Sequence, residues 1–218
     1  MADANEPLTI DVVSDVVCPW CYLGEKRLEL ALAEAPETAV VRWRPYQLDP
    51  TIPDGGLDRR EYMEKKFGKS GRLKEAHDHL VRLGAEVGLD FHFDRITRSP
   101  NTLDAHRLIK WAASGGVQRE VVDRLFRAYF VDGRDIGDRA VLIDIARETG
   151  LDASVVATLL AEGADKDEVR RAIAEAQAIG VTGVPFFIFA GRLAVPGAQE
   201  PAVLRRAMAE ARARTEAA

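Results

Sequence analysis

The two cysteines of this 218-residue chain lie close together, in the segment VVCPWCYLGE at residues 16–25. A disulfide between Cys18 and Cys21 would close a very short loop, and the stabilisation that a disulfide provides increases with loop length. A chain of this length can bury a sizeable core without such a bond. The pair therefore indicates chemistry rather than a structural cross-link.

The residues on either side of the pair predict a strand that runs directly into a helix. Residues 8–17, LTIDVVSDVV, are rich in β-branched side chains, which favours a strand. Pro19 suits the first turn of a helix, and apolar residues then repeat at helical spacing as far as Pro36, which is expected to end the helix. A second strand is predicted over residues 39–46, AVVRWRPY, so the chain opens as β-α-β.

Helical patterns then follow one another from about residue 58 to about residue 162. A connection of that length inside a compact domain needs structure of its own, and the sequence supplies it. After a further helix over 165–179, strands are predicted over 186–189 and 192–195, and a last helix over 200–214. A helical block of about a hundred residues thus interrupts one α/β layer.

Three helix ends in this region have recognisable capping residues. Asp138 is expected to be the N-cap before RAVLIDIA, and Gly150 to follow the end of that helix. Residues 99–101, SPN, offer another N-terminal cap, with Asp104 at a position that could complete a capping box.

Composition excludes two classes of function and indicates a compartment. The net charge of −5 argues against a nucleic-acid-binding protein, which needs a concentrated basic surface. No segment approaches the roughly 18 consecutive apolar residues of a membrane span. The first residues have neither the basic nor the apolar region of a secretory signal, so we expect a cytoplasmic protein, where paired cysteines are more often catalytic or metal-binding than structural.

Three interpretations of the C-x-x-C spacing compete. A zinc half-site needs two further ligands, but the nearest candidates, His77 and His79, would point to different sides of a helix, so we expect no metal. Inert core thiols are the second interpretation. The third and favoured interpretation is a redox dithiol at a strand-to-helix junction.

The redox interpretation depends on the position of Cys18 at the start of the predicted helix. The free N–H groups and positive dipole at the start of a helix favour an anion, and the thiolate is the reactive form of cysteine. Cys21, one turn further along, would lie within disulfide reach on the same face. Cys18 would then form a mixed disulfide that Cys21 resolves. Trp20 could either cap the helix as a hydrophobe or present its ring to a substrate.

A second motif, GVTGVPFF at residues 181–188, places Pro185 at the head of a predicted strand. The residues alone favour an ordinary trans proline at a strand edge. A cis Val184–Pro185 bond would instead leave the N–H and C=O of Val184 free to pair with an extended peptide.

The combination of strand, CPWC and helix with GVTGVPFFIFAGRLAVPGAQ near the other end resembles the DsbA-like dithiol–disulfide oxidoreductases of the thioredoxin superfamily. The segments YLGEKRLE, SPNTLDAHRL and FVDGRDIGDRAVL are similar to those of the branch called FrnE-like. The resemblance extends from about residue 8 to about residue 208. It implies an α/β fold: a thioredoxin-like domain formed by residues 1–57 and 163–218, with an inserted all-helical domain at 58–162.

The resemblance also implies roles for individual residues. Cys18 matches the nucleophile, Cys21 the resolving cysteine, and Pro185 a cis-proline that faces them. Pro19 and Trp20, together with Val184, would contact the substrate.

Two residues of the inserted domain, Asn101 and His106, match residues that lie towards the active-site groove of the family. For His106, a local hydrogen bond on a helix face is an equally good interpretation. The remaining histidines, His77, His79 and His92, match nothing functional and are expected at the surface.

The sequence departs from the family pattern at two places. The dipeptide between the cysteines is Pro-Trp rather than the Pro-His of strongly oxidising members, and tryptophan cannot stabilise a thiolate by charge, so we expect a more reducing pair. The position of the buried acid of thioredoxin is occupied by Val12. Asp15 could assist proton transfer instead, but we expect it to be a surface residue.

The resemblance implies a disulfide reductase or isomerase that acts on protein or small-molecule disulfides, with no bound cofactor and glutathione as a redox partner. A homodimer is a further possibility. The alternative is a glutathione-dependent small-molecule isomerase of the 2-hydroxychromene-2-carboxylate type, or a polyketide-pathway isomerase; serine is typical of the former where this chain has Cys18. A third interpretation is a chaperone-like module whose helical block presents an apolar groove.

Overall fold

The computed structural model describes residues 6–35, 38–68 and 71–216, and Pro36 lies outside these ranges. The elements, in chain order, are β1 (Leu8–Ser14), α1 (Pro19–Ala33), β2 (Ala39–Pro45), β3 (Leu57–Asp58), α2 (Arg59–Phe67), α3 (Arg72–Glu86), a 3-10 turn (Phe93–Arg95), β4 (Arg98–Ser99), α4 (Leu103–Ser114), α5 (Gln118–Phe130), α6 (Arg139–Glu148), α7 (Ala153–Glu162), α8 (Lys166–Ala178), β5 (Phe186–Phe189), β6 (Leu193–Pro196) and α9 (Pro201–Glu216).

The main sheet has the strand order β2-β1-β5-β6. β1 runs parallel to β2, with Leu8 opposite Ala39 and Ser14 opposite Pro45, whereas β5 is antiparallel to β1 and β6 to β5. β1 is a central strand, and Ile10, Val12 and Val13 are buried in it, as its β-branched composition predicts. The chain therefore leaves the carboxyl end of β1 in the middle of the sheet and enters α1 at Pro19.

The helical insertion in an α/β fold is confirmed, with one difference from the prediction: the inserted region is not entirely helical. β3 and β4 form a two-stranded antiparallel ladder that pairs Leu57 with Ser99 and Asp58 with Arg98. Strands of two residues are too short to produce a recognisable alternating pattern. The ladder joins the start of the insert to the segment just before α4.

An aromatic cluster attaches the insert to the helix that carries the cysteines. Tyr22 of α1 stacks on Phe126 with the ring centroids 5.0 Å apart, and on Phe130 at 6.0 Å. The ring of Phe91 meets Tyr22 edge-on at 5.7 Å. Such pairs add about 0.5–1.5 kcal/mol each to the burial of their area, so α1 and the insert form one packed unit.

The helix ends confirm two of the capping predictions. The Asp138 side chain accepts a hydrogen bond from the Ala140 N–H, and Gly150 follows α6 with a φ of +84°. The capping box at Asp104 is wrong. The Asn101 side chain accepts from the Leu103 N–H instead, and Asp104 is drawn to the buried guanidinium of Arg107 at 2.7 Å.

The outer edge of β2 is closed by one side chain. The Trp43 N–H donates to the Gln118 Oε1 at 3.1 Å, and the Gln118 Nε2 donates back to the Trp43 carbonyl at 3.3 Å. The first residue of α5 thus takes the place of a neighbouring strand. Without it, the backbone groups of Trp43 would be free to pair with another chain. None of the helices in the described ranges is both long enough and apolar enough to cross a bilayer.

Candidate active site

The cysteine pair begins α1, as predicted. Cys18 is the N-cap residue, Pro19 follows in the first turn, and the Cys18 carbonyl accepts hydrogen bonds from the N–H groups of Cys21 and Tyr22. The two cysteines are 3.5 Å apart and not bonded to each other. This arrangement allows a disulfide to form with a small movement of the side chains.

Val184, the residue before Pro185, contacts this pair, and the peptide bond between Val184 and Pro185 is cis. The resemblance implied that geometry, whereas the residues alone favoured trans. The Cys18 Sγ donates to the Val184 carbonyl oxygen at 3.7 Å, across 166 positions of sequence. No amide of α1 bonds to the Cys18 side chain in the described structure. The carbonyl predicted to bind substrate backbone is therefore the present partner of the Cys18 thiol.

Gly24 allows this close approach, and the sequence reasoning missed it. A Cβ at position 24 would lie 2.9 Å from Cγ of Pro185 and 3.3 Å from Cζ of Phe187. Glycine inside a helix is unfavourable by about 1 kcal/mol relative to alanine, so its presence needs a packing reason. A glycine in the middle of the predicted helix was the available signal.

The environments of the two thiols differ. Both cysteines are buried, Cys18 at 4% and Cys21 at 2% exposure, but Cys18 lines a cleft whose described walls do not include Cys21. Burial, reinforced by the neighbouring Cys18, raises the pKa of the Cys21 thiol well above its ordinary value. Hydrogen bonds from the Asp15 backbone and the Ser14 side chain act in the opposite direction. Cys21 is therefore held as a thiol, and Cys18 is the sulfur that a substrate can reach.

The cleft has a volume of about 640 Å³, and both the α/β layer and the insert contribute to its walls. Trp20 lies at its edge, 38% exposed, with its ring 6.1 Å from that of His79. A contact between the Trp20 ring and a substrate stays a prediction. The apolar part of the wall is formed by Val17, Leu48, Ile52, Met63, Phe67, Leu73, Leu80 and Val184.

Two cations of α2 also face the cleft. The Arg59 guanidinium donates to the Tyr129 hydroxyl at 3.0 Å, and the Lys66 ammonium donates to the Tyr62 hydroxyl at 2.8 Å. Within the described residues, neither cation forms an ion pair with a carboxylate. Both can therefore attract an anionic group of a ligand.

Asp15 is buried, so the expectation of a surface residue is wrong. Its side chain is 1% exposed, and its Oδ2 accepts from the Leu48 N–H at 2.8 Å. The Asp15 carbonyl also accepts from the Cys18 N–H at 2.9 Å, which fixes the turn between β1 and α1. The sequence could not reveal this burial, because the residues that cover Asp15 include some of the inserted domain, far away in sequence.

His106 is one of those covering residues. Its side chain is 2% exposed, with Nε2 2.8 Å from the Tyr46 carbonyl oxygen and 3.4 Å from Oδ1 of Asp15. The interpretation of a helix-face histidine bonded locally does not hold, since both partners lie far away in sequence. The described walls of the cleft do not include His106, which stands behind Asp15.

Asn101 is likewise held by the protein itself. Its Nδ2 donates to the Ile52 carbonyl at 2.6 Å, and its Oδ1 accepts from Gln47 at 3.0 Å and from the Leu103 N–H. Its neighbours Pro100 and Thr102 line the cleft, and Asn101 stands behind them. A direct role in substrate binding for Asn101 stays a prediction.

Of the remaining histidines, which were expected at the surface, two are only partly exposed, His77 and His92. His77 is half-buried, stacks on Phe93 with the ring centroids 3.9 Å apart, and lines the cleft. Burial, followed by the charge of Arg59, lowers its pKa to about 4. His79 is exposed, and His92 pairs with Asp90 at 2.9 Å.

Another residue that the sequence reasoning missed is Glu25, one turn after Cys21. Its Oε2 is buried without a hydrogen-bond partner, and burial, followed by the charge of Asp123, raises the pKa of this carboxyl well above its ordinary range. Across the described residues, no group of three or more potential His, Cys, Asp or Glu ligands is placed to hold a metal ion.

The fold and this site define a class of protein: a thioredoxin-like α/β protein with a cysteine pair at the start of a helix, opposite a cis-proline. The family described as DSBA-like thioredoxin domain matches residues 9–209. The chain belongs to that family. Membership of the FrnE-like branch stays a prediction.

Several solved structures have the same architecture. A probable DsbA oxidoreductase from Streptomyces coelicolor is 34% identical, with 94% of this chain and 89% of that chain covered, at a TM-score of 0.84. A 2-hydroxychromene-2-carboxylate isomerase is 18% identical over 96% of this chain and 99% of its own, at a TM-score of 0.69. The cytosolic disulfide reductase DsbM of Pseudomonas aeruginosa, also solved with glutathione, is 21% identical. The match covers 96% of this chain and 97% of that chain, at a TM-score of 0.60. The last two similarities concern the fold alone.

Proposed function

We propose that this protein is a dithiol–disulfide oxidoreductase, working as a disulfide reductase or isomerase, in which Cys18 attacks and Cys21 resolves. The observation that carries the proposal is the difference between the two sulfurs. Cys18 lines the cleft opposite Val184, whereas Cys21 lies 3.5 Å from Cys18 and is held as a thiol by burial. A substrate disulfide therefore meets Cys18 first, and Cys21 can act only on the mixed disulfide.

The Val184 carbonyl can bind the backbone of the substrate next to Cys18 during this reaction. It accepts from the Cys18 thiol in the present state. Loss of the thiol proton frees that carbonyl at the moment when Cys18 becomes nucleophilic. A backbone N–H of an extended substrate then has an acceptor next to the reacting sulfur, as in other cases of β-strand pairing by peptides.

The chemistry of the cleft supports a substrate with an apolar body and an acidic group. A volume of about 640 Å³ is in the usual range for a small-molecule site. Arg59 and Lys66 face it without carboxylate partners among the described residues. Glutathione disulfide has four carboxylates and is the redox partner that we propose. A protein disulfide flanked by acidic residues has the same features.

The direction of the reaction follows from the dipeptide between the cysteines. Pro19 and Trp20 place no cation beside the sulfur, so the thiolate form of the dithiol lacks the charge stabilisation that makes a strong oxidant. We propose a reducing pair in the cytoplasm, where a reductase has its electron donors. The homodimer remains a prediction.

Reduction of insulin disulfides, with dithiothreitol or glutathione as electron donor, tests this function. We expect wild-type protein to accelerate the reaction, Cys18→Ser to abolish the acceleration, and Cys21→Ala to accumulate a mixed disulfide. Equal activity of wild type and Cys18→Ser would refute the proposal. Equilibration with a glutathione buffer gives the direction: a potential near about −270 mV indicates a reductase, and one near about −120 mV an oxidant.

A glutathione-dependent isomerase is the alternative, and a cleft of small-molecule size favours it. The two functions differ in their need for the second thiol, since isomerisation of a bound glutathione adduct has no use for a resolving cysteine. Turnover of a 2-hydroxychromene-2-carboxylate that survives in Cys21→Ala would support the isomerase. Loss of insulin reduction in the same variant would support the oxidoreductase.

A further inference from the structure

A second cavity lies on the other side of the segment that leads into the cysteine pair. Its volume is about 630 Å³, close to that of the active-site cleft, and the two cavities share no wall residue. Ser14 and Val16 line the second cavity, whereas Asp15, Val17 and Cys18 line the cleft. The segment from the end of β1 to Cys18 therefore separates two cavities, and the reaction at Cys18 uses only one of them.

The walls of the second cavity come from both parts of the protein. The edge strand β2 forms one side, and α4, the start of α5 and α8 form the others. Much of this surface is apolar, with contributions from Val16, Val40, Ile109, Val122, Val169 and Ala172. A cavity of this volume with mainly apolar walls and a few polar groups is typical of a small-molecule site.

One hydrogen-bond donor of the wall has no partner. Trp43 is 8% exposed, and its indole Nε1 is buried without an acceptor among the described residues. An indole N–H can only donate, so only an acceptor atom can satisfy it. Buried donors without an acceptor are rare in folded proteins because they cost free energy, so this one needs an explanation. An acceptor atom of a ligand would supply the missing partner.

The backbone of β2 offers a second donor nearby. Trp43 faces away from β1, since Gln118 reaches its N–H and carbonyl from outside the sheet. Residues that face away alternate along a strand that is paired on one side only, so Val41 faces the same way as Trp43. No backbone hydrogen bond from beyond the sheet reaches Val41 in the described ranges. The Val41 N–H thus lies on the open edge, and Val41 lines the cavity.

The charges on β2 add a cation to these two donors. The charged side chains of the wall are Arg42, Arg44, Lys110, Arg119, Glu120 and Glu168. Arg44, Lys110 and Arg119 each pair with a carboxylate, at 2.8, 3.1 and 3.3 Å. Arg42 forms no ion pair in the part of the chain that the structure describes. Glu120 is also unpaired there but belongs to α5, whereas Arg42 adjoins the two donors of β2. An anionic group is therefore the ligand group that suits the β2 side of the cavity.

We propose that this cavity is a second binding site and that it takes a small organic carboxylate with an apolar body. The apolar walls hold the body, while Arg42, the Val41 N–H and the Trp43 indole N–H bind the carboxylate. Neither cysteine lines this cavity, so the ligand needs no thiol or disulfide. The inference therefore goes beyond the proposed function and does not depend on it.

An extended peptide is the other kind of ligand that an open strand edge can bind. Gln118 opposes it, because its side chain already bonds to both outward-facing backbone groups of Trp43. An added strand would have to displace Gln118 in order to pair beyond Val41. A carboxylate needs only the N–H that is open, so the structure favours the small ligand.

The three tryptophans of the chain make a site-resolved test possible. Trp20 lies at the edge of the cleft and Trp43 in the wall of the second cavity, whereas the Trp111 indole is bonded to Asp165 at 2.7 Å. Each indole N–H gives one signal in a nitrogen–proton correlation spectrum, and the variants Trp20→Phe and Trp43→Phe assign the signals. The probes are phenylbutyrate and its neutral amide, which have the same apolar body.

We expect phenylbutyrate to shift the Trp43 signal in a saturable way, while the Trp20 signal separately reports any binding in the cleft. Judged by the Trp43 signal, the amide should bind at least about tenfold more weakly, the smallest change expected from the loss of a hydrogen bond to a charged group. A Trp43 signal that does not move overturns the site. Equal affinity of the two probes at Trp43 overturns the assignment of a carboxylate.

Arg42→Gln and Lys66→Gln are matched variants, since each removes one exposed cation from one of the two cavities. In the Trp43 titration, we expect Arg42→Gln to weaken phenylbutyrate about tenfold and to leave the amide unchanged. Lys66→Gln should affect neither probe at Trp43. If the Trp43 titration instead weakens in Lys66→Gln and stays at wild type in Arg42→Gln, the signal reports the cleft and the second site is refuted. Both side chains are exposed, so we expect both variants to fold.

Cys18→Ser keeps this inference separate from the proposed function. Because the site needs no thiol, the variant should give the wild-type Trp43 titration even though it lacks the reactive sulfur. Loss of the Trp43 shift in Cys18→Ser would overturn the independence of the second site. Failure of disulfide reduction by the wild type would overturn the proposed function and leave the second site intact.

Discussion

The contact between Gly24 and Pro185 makes a sharp prediction about how the fold sets the active site. Alanine at position 24 would gain about 1 kcal/mol of helix propensity. Its Cβ would lie 2.9 Å from Pro185 Cγ, a distance at which an atom has to move, and 3.3 Å from Phe187 Cζ. Overpacking of this kind costs about 1–3 kcal/mol, so we expect Gly24→Ala to be destabilised by up to about 2 kcal/mol.

Urea and thermal unfolding measure that change. At about 2–4 °C per kcal/mol for a chain of this size, the melting temperature should fall by up to about 8 °C. Because the clash separates α1 from the cis-proline loop, the attack of Cys18 on an aromatic disulfide should change as well.

Gly55→Ala is the control for Gly24→Ala, since nothing lies within 4 Å of a Cβ at position 55. A gain of about 1 kcal/mol in Gly24→Ala, with unchanged attack kinetics, would refute the reasoning, because it would mean that helix propensity alone decides the outcome.

Three further predictions concern groups away from the reacting sulfurs. In urea titrations, Glu25→Gln should raise the free energy of unfolding by about 1–3 kcal/mol at pH 8 and by less at pH 5. The reason is that a carboxyl with a raised pKa contributes stability below its ordinary pKa, and this stability is lost as the pH rises through its pKa in the folded protein. An equal gain at both pH values would contradict this. Because the pKa of His77 is lowered, the free energy of unfolding should decline by up to about 1 kcal/mol as the pH falls from about 6.5 towards 4. His77→Gln should make that decline smaller, whereas the control His92→Gln should leave it unchanged. Gln118→Ala should lose about 1–3 kcal/mol, since the Trp43 N–H and carbonyl both lose a partner, and unchanged stability would show that water replaces Gln118 fully.

The local pattern predicted the elements that carry the site. The strand before the cysteines, the helix that begins at Pro19 and the strand Phe186–Phe189 all follow from residue type and spacing. The cis bond before Pro185 did not follow from residue type, because proline tolerates both isomers; the resemblance supplied it. The family assignment rested on the two ends of the chain and is confirmed.

What the sequence could not predict depends on contacts between distant segments. Asp15 and His106 each look like surface residues locally, yet they lie 91 positions apart in sequence and are buried against each other where the insert meets the end of β1. The ladder of β3 and β4 is too short for a pattern. Asp104 pairs with Arg107 of the same helix, and the burial of that arginine depends on the distant carbonyls of Leu159 and Ala164 to which it donates. Such burial is decided by tertiary packing, which overrides local propensity.

The central claim, that Cys18 is the attacking sulfur and Cys21 the resolving one, can be tested by intact-mass measurement of the single-cysteine variants after a short reaction with glutathione disulfide. We predict one glutathione per chain on Cys21→Ala, attached to Cys18, and none on Cys18→Ser, because its remaining thiol does not line the cleft and is held neutral. Faster modification of Cys18→Ser than of Cys21→Ala would contradict the assignment.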